Sequence, residues 1–242
     1  DLEENRPGRL FQQSDFDNFS FFDEGNYLRF GLDYLGKGIH MGLMIAKGIL
    51  KIKDFFDRFM MMIITWHGGG CYRVETPDFN LIIDPDTSSR AGRLKADLVL
   101  RTSSRAPFTA GENEIVGPGE YEIGRAKVRG VALPSENSNE IRTAYRVLLQ
   151  DIRLGFFGGK EFSPSEEILE SLDGIDILFI FDGKAAPELV KIIEPRIVIP
   201  NSEEVKKIEA MFGQKTEPRE KLVLKKKDLS EKEGIDVVIL KS

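Results

Sequence analysis

DLVLRTSSRAPFT, residues 97–109, joins an apolar run to a polar loop. Residues 98–100 are uncharged and apolar, which is typical of a short buried strand. The polar residues 101–105 follow directly and end before Pro107. Because loops at the ends of buried strands are frequent places for binding and catalytic residues, we expect a site at this loop.

Composition limits the classes of function. The chain has 242 residues, enough for one domain with an appendage or for two small domains. Its net charge of -6 argues against generic nucleic-acid binding, which needs a basic surface. A single cysteine excludes an internal disulfide framework and is typical of a reducing compartment, so we expect a cytoplasmic protein. The sequence has no run of about 18 uncharged apolar residues, and we therefore predict no membrane-spanning helix.

The first 60 residues differ from the rest. Residues 1–26 hold seven acidic residues and two arginines, with five interspersed phenylalanines. They indicate either a flexible acidic tail or a partner-binding arm. Residues 27–60 carry six basic and three acidic residues, and on a helical projection most apolar side chains oppose the charged ones. This pattern predicts an amphipathic helix that packs on its own domain, on a twin chain or peripherally on a membrane.

Residues 61–242 have the pattern of a mixed α/β domain. The first half is mostly short strands separated by turn residues, and the second half alternates buried strands with short amphipathic helices. Examples are the apolar run at 175–181 and the helix predicted at 202–212, which Gly213 ends. This order predicts two sheets flanked by helices.

Four segments carry a family resemblance: ITWHGGG at 64–70, LIIDP at 81–85, PGEYEI at 118–123 and the Ile199–Pro200 pair. With them, residues 61–242 resemble the metallo-β-lactamase fold superfamily, in its branch of small stand-alone hydrolase-like proteins. The resemblance implies a four-layer αβ/βα sandwich of two mixed sheets. The N-terminal tail and helix would be additions to that fold.

The resemblance also implies a metal motif, His-x-His-x-Asp-His, in the loop after residue 102. Ser103, Arg105, Pro107 and Phe108 stand at those positions. Gly159 stands where the resemblance implies a metal-bridging aspartate, and Asn201 and Ser202 follow the Ile-Pro pair where it implies the last histidine. The whole chain contains two histidines, His40 and His67, whereas zinc sites are built mainly from His and Cys. We therefore predict no metal ligands, no catalytic residues and no cofactor.

What remains is a candidate vestigial cleft. Its members are Asp84, Ser103, Ser104, Arg105, Gly159 and Ser202. We predict a catalytically inactive domain used for binding or assembly, with a protein partner or a second copy docked through residues 1–60 and no nucleic acid. The alternative is a hydrolase with a relocated or metal-free active site in the same cleft, where Arg105 could bind an anion.

Overall fold

The strands of the larger part of the chain follow a two-residue alternation. In β5 (Tyr72–Thr76), Tyr72, Val74 and Thr76 are buried, whereas Arg73 and Glu75 are partly exposed and pair with each other at 3.0 Å. Successive residues of a strand point to opposite faces, so such a strand turns one face to a core and the other outward.

The computed structural model describes residues 19–23, 28–34, 37–43, 61–86, 95–157, 165–181, 186–201, 205–213, 215–231 and 234–241. The chain divides into two units, Asp1–Asp57 and Arg58–Ser242. In the described part of the chain, none of the helices is long and apolar enough to cross a membrane.

The N-terminal unit contains an antiparallel sheet of β1 (Phe19–Asp23), β2 (Leu28–Tyr34) and β3 (Lys37–Leu43). The amphipathic helix predicted for 27–60 is therefore wrong over residues 28–34 and 37–43, and residues 44–60 lie outside the described part. Residues 19–23 of the predicted tail are a strand as well. The reason is a period of two: Phe30 of β2 faces Phe21 of β1 and Met41 of β3 in register, and glycines weaken a helix here.

The larger unit contains two mixed sheets. The six-stranded first sheet runs in the order β16 (Lys221–Leu224), β4 (Met62–Trp66), β5, β6 (Phe79–Ile83), β7 (Leu98–Arg101) and β9 (Glu114–Val116). The eight-stranded second sheet runs in the order β10 (Gly119–Ile123), β11 (Ala126–Ala132), β12 (Glu140–Leu149), β13 (Ile152–Phe157), β14 (Ile177–Ile180), β15 (Ile197–Pro200) and β17 (Asp236–Val237), and β8 (Ser103–Arg105) pairs with β12.

Parallel and antiparallel pairs occur in both sheets. β6, β7 and β9 pair in parallel in the first sheet, as do β13, β14, β15 and β17 in the second. The predicted α/β sandwich of two mixed sheets is confirmed.

Aromatic side chains fill the space between the sheets. The ring of Tyr72 from the first sheet meets Phe179 of β14 edge-on, with centroids 5.1 Å apart, and Phe156 stacks on Phe179 at 4.5 Å. Edge-on and offset ring pairs add to the energy of area burial, so this cluster joins the two sheets.

Short helices cover part of the outer face of the second sheet. They are α1 (Glu166–Ser171), α2 (Ala186–Ile193) and α3 (Val205–Phe212). Ile168, Leu189 and Ile208, one from each helix, are buried in a single cluster with β14 and β15. Ser165 caps α1 by accepting from the Ile168 N–H at 3.4 Å, and Gly213, at φ +63°, follows α3 as predicted.

A highly charged segment, residues 225–234, follows β16. It contains α4 (Lys226–Ser230), in which Leu229 is buried. Lys226 Nζ donates to Asp176 Oδ2 at 3.1 Å, and Arg153 donates to the same carboxylate. Burial would raise the pKa of Asp176, but these hydrogen bonds outweigh it and hold the pKa below its usual value. Asp176 therefore stays ionised and ties α4 to the second sheet.

Candidate functional site

Asp84 lies at the carboxyl end of β6, where the strand turns sharply. Its backbone adopts φ +44°, and Pro85 follows it. The carboxylate accepts hydrogen bonds from both the backbone N–H (2.7 Å) and the hydroxyl of Thr102. The Asp84 N–H in turn donates to the Leu100 carbonyl at 2.9 Å. These bonds connect the end of β6 to the end of β7.

Burial dominates the protonation of Asp84. It raises the pKa of the carboxyl group to about 6, although the two hydrogen bonds from Thr102 favour the anion. Gly70, in the turn after β4, lies against this group, because a Cβ at Gly70 would be 3.6 Å from Asp84 Cβ. The carboxyl group is therefore a partly desolvated acid that titrates near neutral pH.

The segment that follows Thr102 is a strand. Residues 103–105, which we expected to be a polar loop, form β8 and pair antiparallel with residues 140–142 of β12. Backbone bonds continue on either side, from the Thr143 N–H to the Thr102 carbonyl at 2.9 Å and from the Ala106 N–H to the Asn139 carbonyl at 2.8 Å. The bond of Asp84 to Thr102 holds the chain where this pairing begins.

Glu140 fixes the side chain of Ser103. Ser103 Oγ donates to Glu140 Oε1 at 2.9 Å, and Ser135 Oγ donates to Glu140 Oε2 at 3.2 Å. The hydrogen bond from Ser103 lowers the pKa of Glu140. A serine nucleophile needs a base, and a carboxylate with a lowered pKa is a poor one. The ring of His67 bonds instead to Thr65 Oγ1 at 3.1 Å, and burial lowers its pKa.

Tyr145 supports the same region from the core. Its hydroxyl accepts from the Gly117 N–H at 3.0 Å and lies 3.1 Å from the Arg101 carbonyl. The side chain is fully buried, and burial raises the pKa of the phenol to about 12. Tyr145 is thus a neutral group that links β7, the turn before β10 and β12.

The structure brings four of the six predicted cleft residues into one region. Asp84 reaches Ser103, Ser104 and Arg105 through Thr102, whereas Gly159 and Ser202 lie outside the described residues. Sequence reasoning missed Thr102 and Glu140. Nothing in the periodicity marks Thr102, and Glu140 stands 37 residues from its partner Ser103.

Apolar side chains flank β8. Phe108 is 38% exposed and Ile141, opposite Ser104 in the ladder, is 42% exposed. Arg105 is exposed beside them. The surface at β8 is therefore mixed, with an arginine and two large apolar side chains.

Comparison with known families agrees with this architecture. Residues 63–202 match the family model described as the β-lactamase superfamily domain. The chain belongs to the metallo-β-lactamase superfamily. No curated protein matches it by sequence.

Several solved structures share the fold. A candidate zinc-dependent hydrolase from Thermotoga maritima is 18% identical, with a TM-score of 0.57 over 75% of this chain and 100% of that one. A candidate metal-dependent hydrolase from Parabacteroides distasonis is 16% identical (TM-score 0.50, 74% and 92% covered). The metallo-β-lactamase fold protein YhfI from Bacillus subtilis is 10% identical (TM-score 0.51, 68% and 98% covered). At these identities the likeness shows the fold alone.

The residues present at the expected metal positions do not fit a metal ion. Ser103 is bonded to Glu140, Arg105 is a cation, Pro107 has no side-chain donor atom and Phe108 is apolar. Zinc in proteins is held by thiolates, imidazoles and carboxylates. Within the described ranges, no group of three or more His, Cys, Asp or Glu side chains could hold a metal.

Proposed function

We propose that this chain is a catalytically inactive member of the metallo-β-lactamase superfamily that serves in binding or assembly and docks through residues 1–60. The observation that carries the proposal is the pairing of β8 with β12. The segment that would hold the metal motif is paired with β12 along its backbone. The hydroxyl of Ser103 donates a hydrogen bond to the carboxylate of Glu140. A segment used in this way stabilises the fold and offers a surface, but no set of metal ligands.

The N-terminal sheet supports the docking part of the proposal. Apolar residues stand at alternate positions of its strands, and the strand register aligns them with one another and with Asp23, Tyr34 and Lys37: Phe19, Phe21, Leu28, Phe30, Leu32, Ile39, Met41 and Leu43. A contiguous apolar set of this kind favours packing against another surface. We assign that surface to a partner protein or to a second copy of the chain.

Two neighbouring phenylalanines allow a matched test. Phe21 belongs to this aligned apolar set and is in register with Phe30, whereas the next residue, Phe22, is in register with Arg29. We expect the full chain to sediment as an oligomer or to crosslink to a partner. Phe21→Ser should abolish the association, and Phe22→Ser should leave it unchanged. A monomer that floats with liposomes would move the docking surface to a membrane, and one that neither floats nor crosslinks would contradict the docking role.

One observation favours the alternative of a hydrolase with a relocated or metal-free site. Asp84, with a pKa of about 6, contacts the hydroxyl of Thr102, and a base with a pKa near neutral is suited to activating a hydroxyl. Thr102 is only 3% exposed, which argues against its reaching a substrate. A screen of esters and phosphoesters separates the two functions: turnover that is lost in Asp84→Asn or Arg105→Met would favour the hydrolase.

A further inference from the structure

A second site lies on the outer face of the second sheet, away from Asp84 and β8. In β12, Tyr145 points into the core, and the next residue, Arg146, lies on the opposite face. Here the surface of β10, β11 and β12 forms an open groove of about 430 Å³. Its polar and apolar lining includes Glu120, Glu122, Lys127, Arg129, Arg146 and Leu148.

The charged residues of β10 and β11 stand opposite partners of opposite charge on this face, whereas Arg146 of β12 does not. Glu120 stands opposite Arg129, and Glu122 stands opposite Lys127, as cross-strand pairs of β10 and β11. The contact from Arg129 Nε to Glu120 Oε1 is 3.6 Å and solvent-exposed, so it is weak. Arg146 faces Arg129 across the next pair of strands. Like charges placed directly opposite destabilise a sheet.

The other neighbour of Arg146 cannot neutralise it. Gly155 of β13 stands opposite, and the space of its missing side chain is filled by Ile175, whose Cγ1 lies 3.0 Å from the position of a Cβ. The guanidinium of Arg146 therefore has an arginine on one side and an aliphatic chain on the other.

Arg146 also has an unsatisfied donor. Its Nε is buried and has no hydrogen-bond partner, and among the described residues no carboxylate forms an ion pair with it. A buried charged donor without a partner destabilises the folded chain. An anion bound in the groove would supply the missing negative charge by pairing with the terminal nitrogens of this guanidinium.

We propose that this groove binds a small molecule that carries one phosphate or carboxylate group, with Arg146 as its main donor and Arg129 beside it. A guanidinium binds two oxygens of such a group at once, which suits it better than an ammonium for this task. Glu120 and Glu122 already balance Arg129 and Lys127, so the groove has one uncompensated positive charge. Leu148 gives the ligand an apolar contact next to that charge. The site is independent of any chemistry at β8.

The test uses the full chain with inorganic phosphate as the probe, and acetate as the carboxylate probe. Backbone amide NMR shifts and the Tm are followed at constant ionic strength, with chloride as the control ion. We expect shifts confined to β10, β11 and the part of β12 that line the groove, and a rise in Tm. Arg146→Met should weaken binding roughly tenfold or more, since charge-assisted hydrogen bonds are lost.

Arg196→Met is the matched control. Arg196 is an exposed arginine that lines a separate pocket with Arg153 and Asp176, so its loss should leave phosphate binding unchanged. In the absence of the anion, Arg146→Met should fold at least as stably as the parent chain, because it removes an unsatisfied buried donor. Arg146→Lys, which keeps the charge but not the fork of donors, should bind weakly. Equal binding by Arg146→Met and the parent chain, or an equal effect of chloride, would overturn the proposal.

Discussion

At the scale of single residues, the junction of Asp84 and Thr102 decides how the chain leaves the first sheet. The carboxylate receives two hydrogen bonds from one residue, and that residue begins the pairing of β8 with β12. Desolvation nevertheless makes the charged form of Asp84 unfavourable, as its raised pKa shows. The junction is thus held by a carboxyl group whose ionisation costs more free energy in the folded chain than in the unfolded one.

The stability of the chain should depend on pH through Asp84. The pKa rises from 3.8 in the unfolded chain to about 6 in the folded one, so the folded state binds more protons between these values. Stability from this group is fully present below about pH 4 and is lost as the pH rises through 6, a change of about 3 kcal/mol. Asp84→Asn cannot titrate. The unfolding free energy of the parent minus that of Asp84→Asn, measured in urea from pH 4 to 7.5, should therefore fall with pH. A flat or rising difference would contradict this.

Tyr145 provides a second prediction. Tyr145→Phe removes a buried hydroxyl that bonds to Gly117 and Arg101, leaving backbone groups without a partner, and should destabilise the chain by about 1–3 kcal/mol. Tyr121→Phe is its control, because the Tyr121 hydroxyl reaches the Pro118 carbonyl from an exposed position and should cost less than about 0.5 kcal/mol. Urea unfolding measures both. Equal effects would mean that the Tyr145 hydroxyl does not support the junction.

At the scale of elements, β12 and β13 show how tightly the second sheet is packed. Gly155 has no space for a side chain, because Ile175 Cδ1 would lie 2.4 Å from an added Cβ. Gly155→Ala should therefore destabilise the chain by about 1–3 kcal/mol through overpacking.

Two further variants isolate the cause of that loss. Gly111→Ala has no contact closer than 3.5 Å and serves as the neutral control. Adding Ile175→Val to Gly155→Ala removes the clashing methyl group and should recover part of the stability. If the double variant were less stable than expected from the two single changes, packing against Ile175 would not be the cause.

Elements with a strong local pattern could be predicted from the sequence. The apolar runs of β14 and β15 are buried strands, and Gly213 ends α3. β8 could not, because Ser103–Arg105 has no apolar alternation and becomes a strand only through pairing with β12. The helix expected at 27–60 is wrong over residues 28–34 and 37–43 because the same apolar residues fit periods of 2 and 3.6, and only the cross-strand register decides between them.

At the scale of the whole molecule, the fold was easier to predict than the site. LIIDP and the strand order indicated the sandwich, and Asp84 and residues 103–105 do come together. Thr102 and Glu140 could not be predicted, since their roles depend on contacts between distant strands. The groove at Arg146 could not be foreseen either, because an arginine in a strand of alternating pattern is usually solvated. It becomes unusual only when its neighbours are known to be Arg129 and Gly155.

The chain thus has the fold of the superfamily, but the residues at the expected metal positions do not fit a metal ion. The sheets are those of the metallo-β-lactamase superfamily, whereas a serine bonded to Glu140, an arginine, a proline and a phenylalanine stand at the expected ligand positions. A domain of this kind keeps its core through packing and backbone pairing, neither of which needs a metal.

The most direct measurement is the metal content of the purified full chain by mass spectrometry, together with hydrolysis assays in the presence and absence of a chelator. We expect zinc, iron and manganese far below stoichiometric amounts, and no turnover that the chelator removes. Stoichiometric, tightly bound metal with hydrolysis that the chelator abolishes would contradict the proposal of an inactive domain.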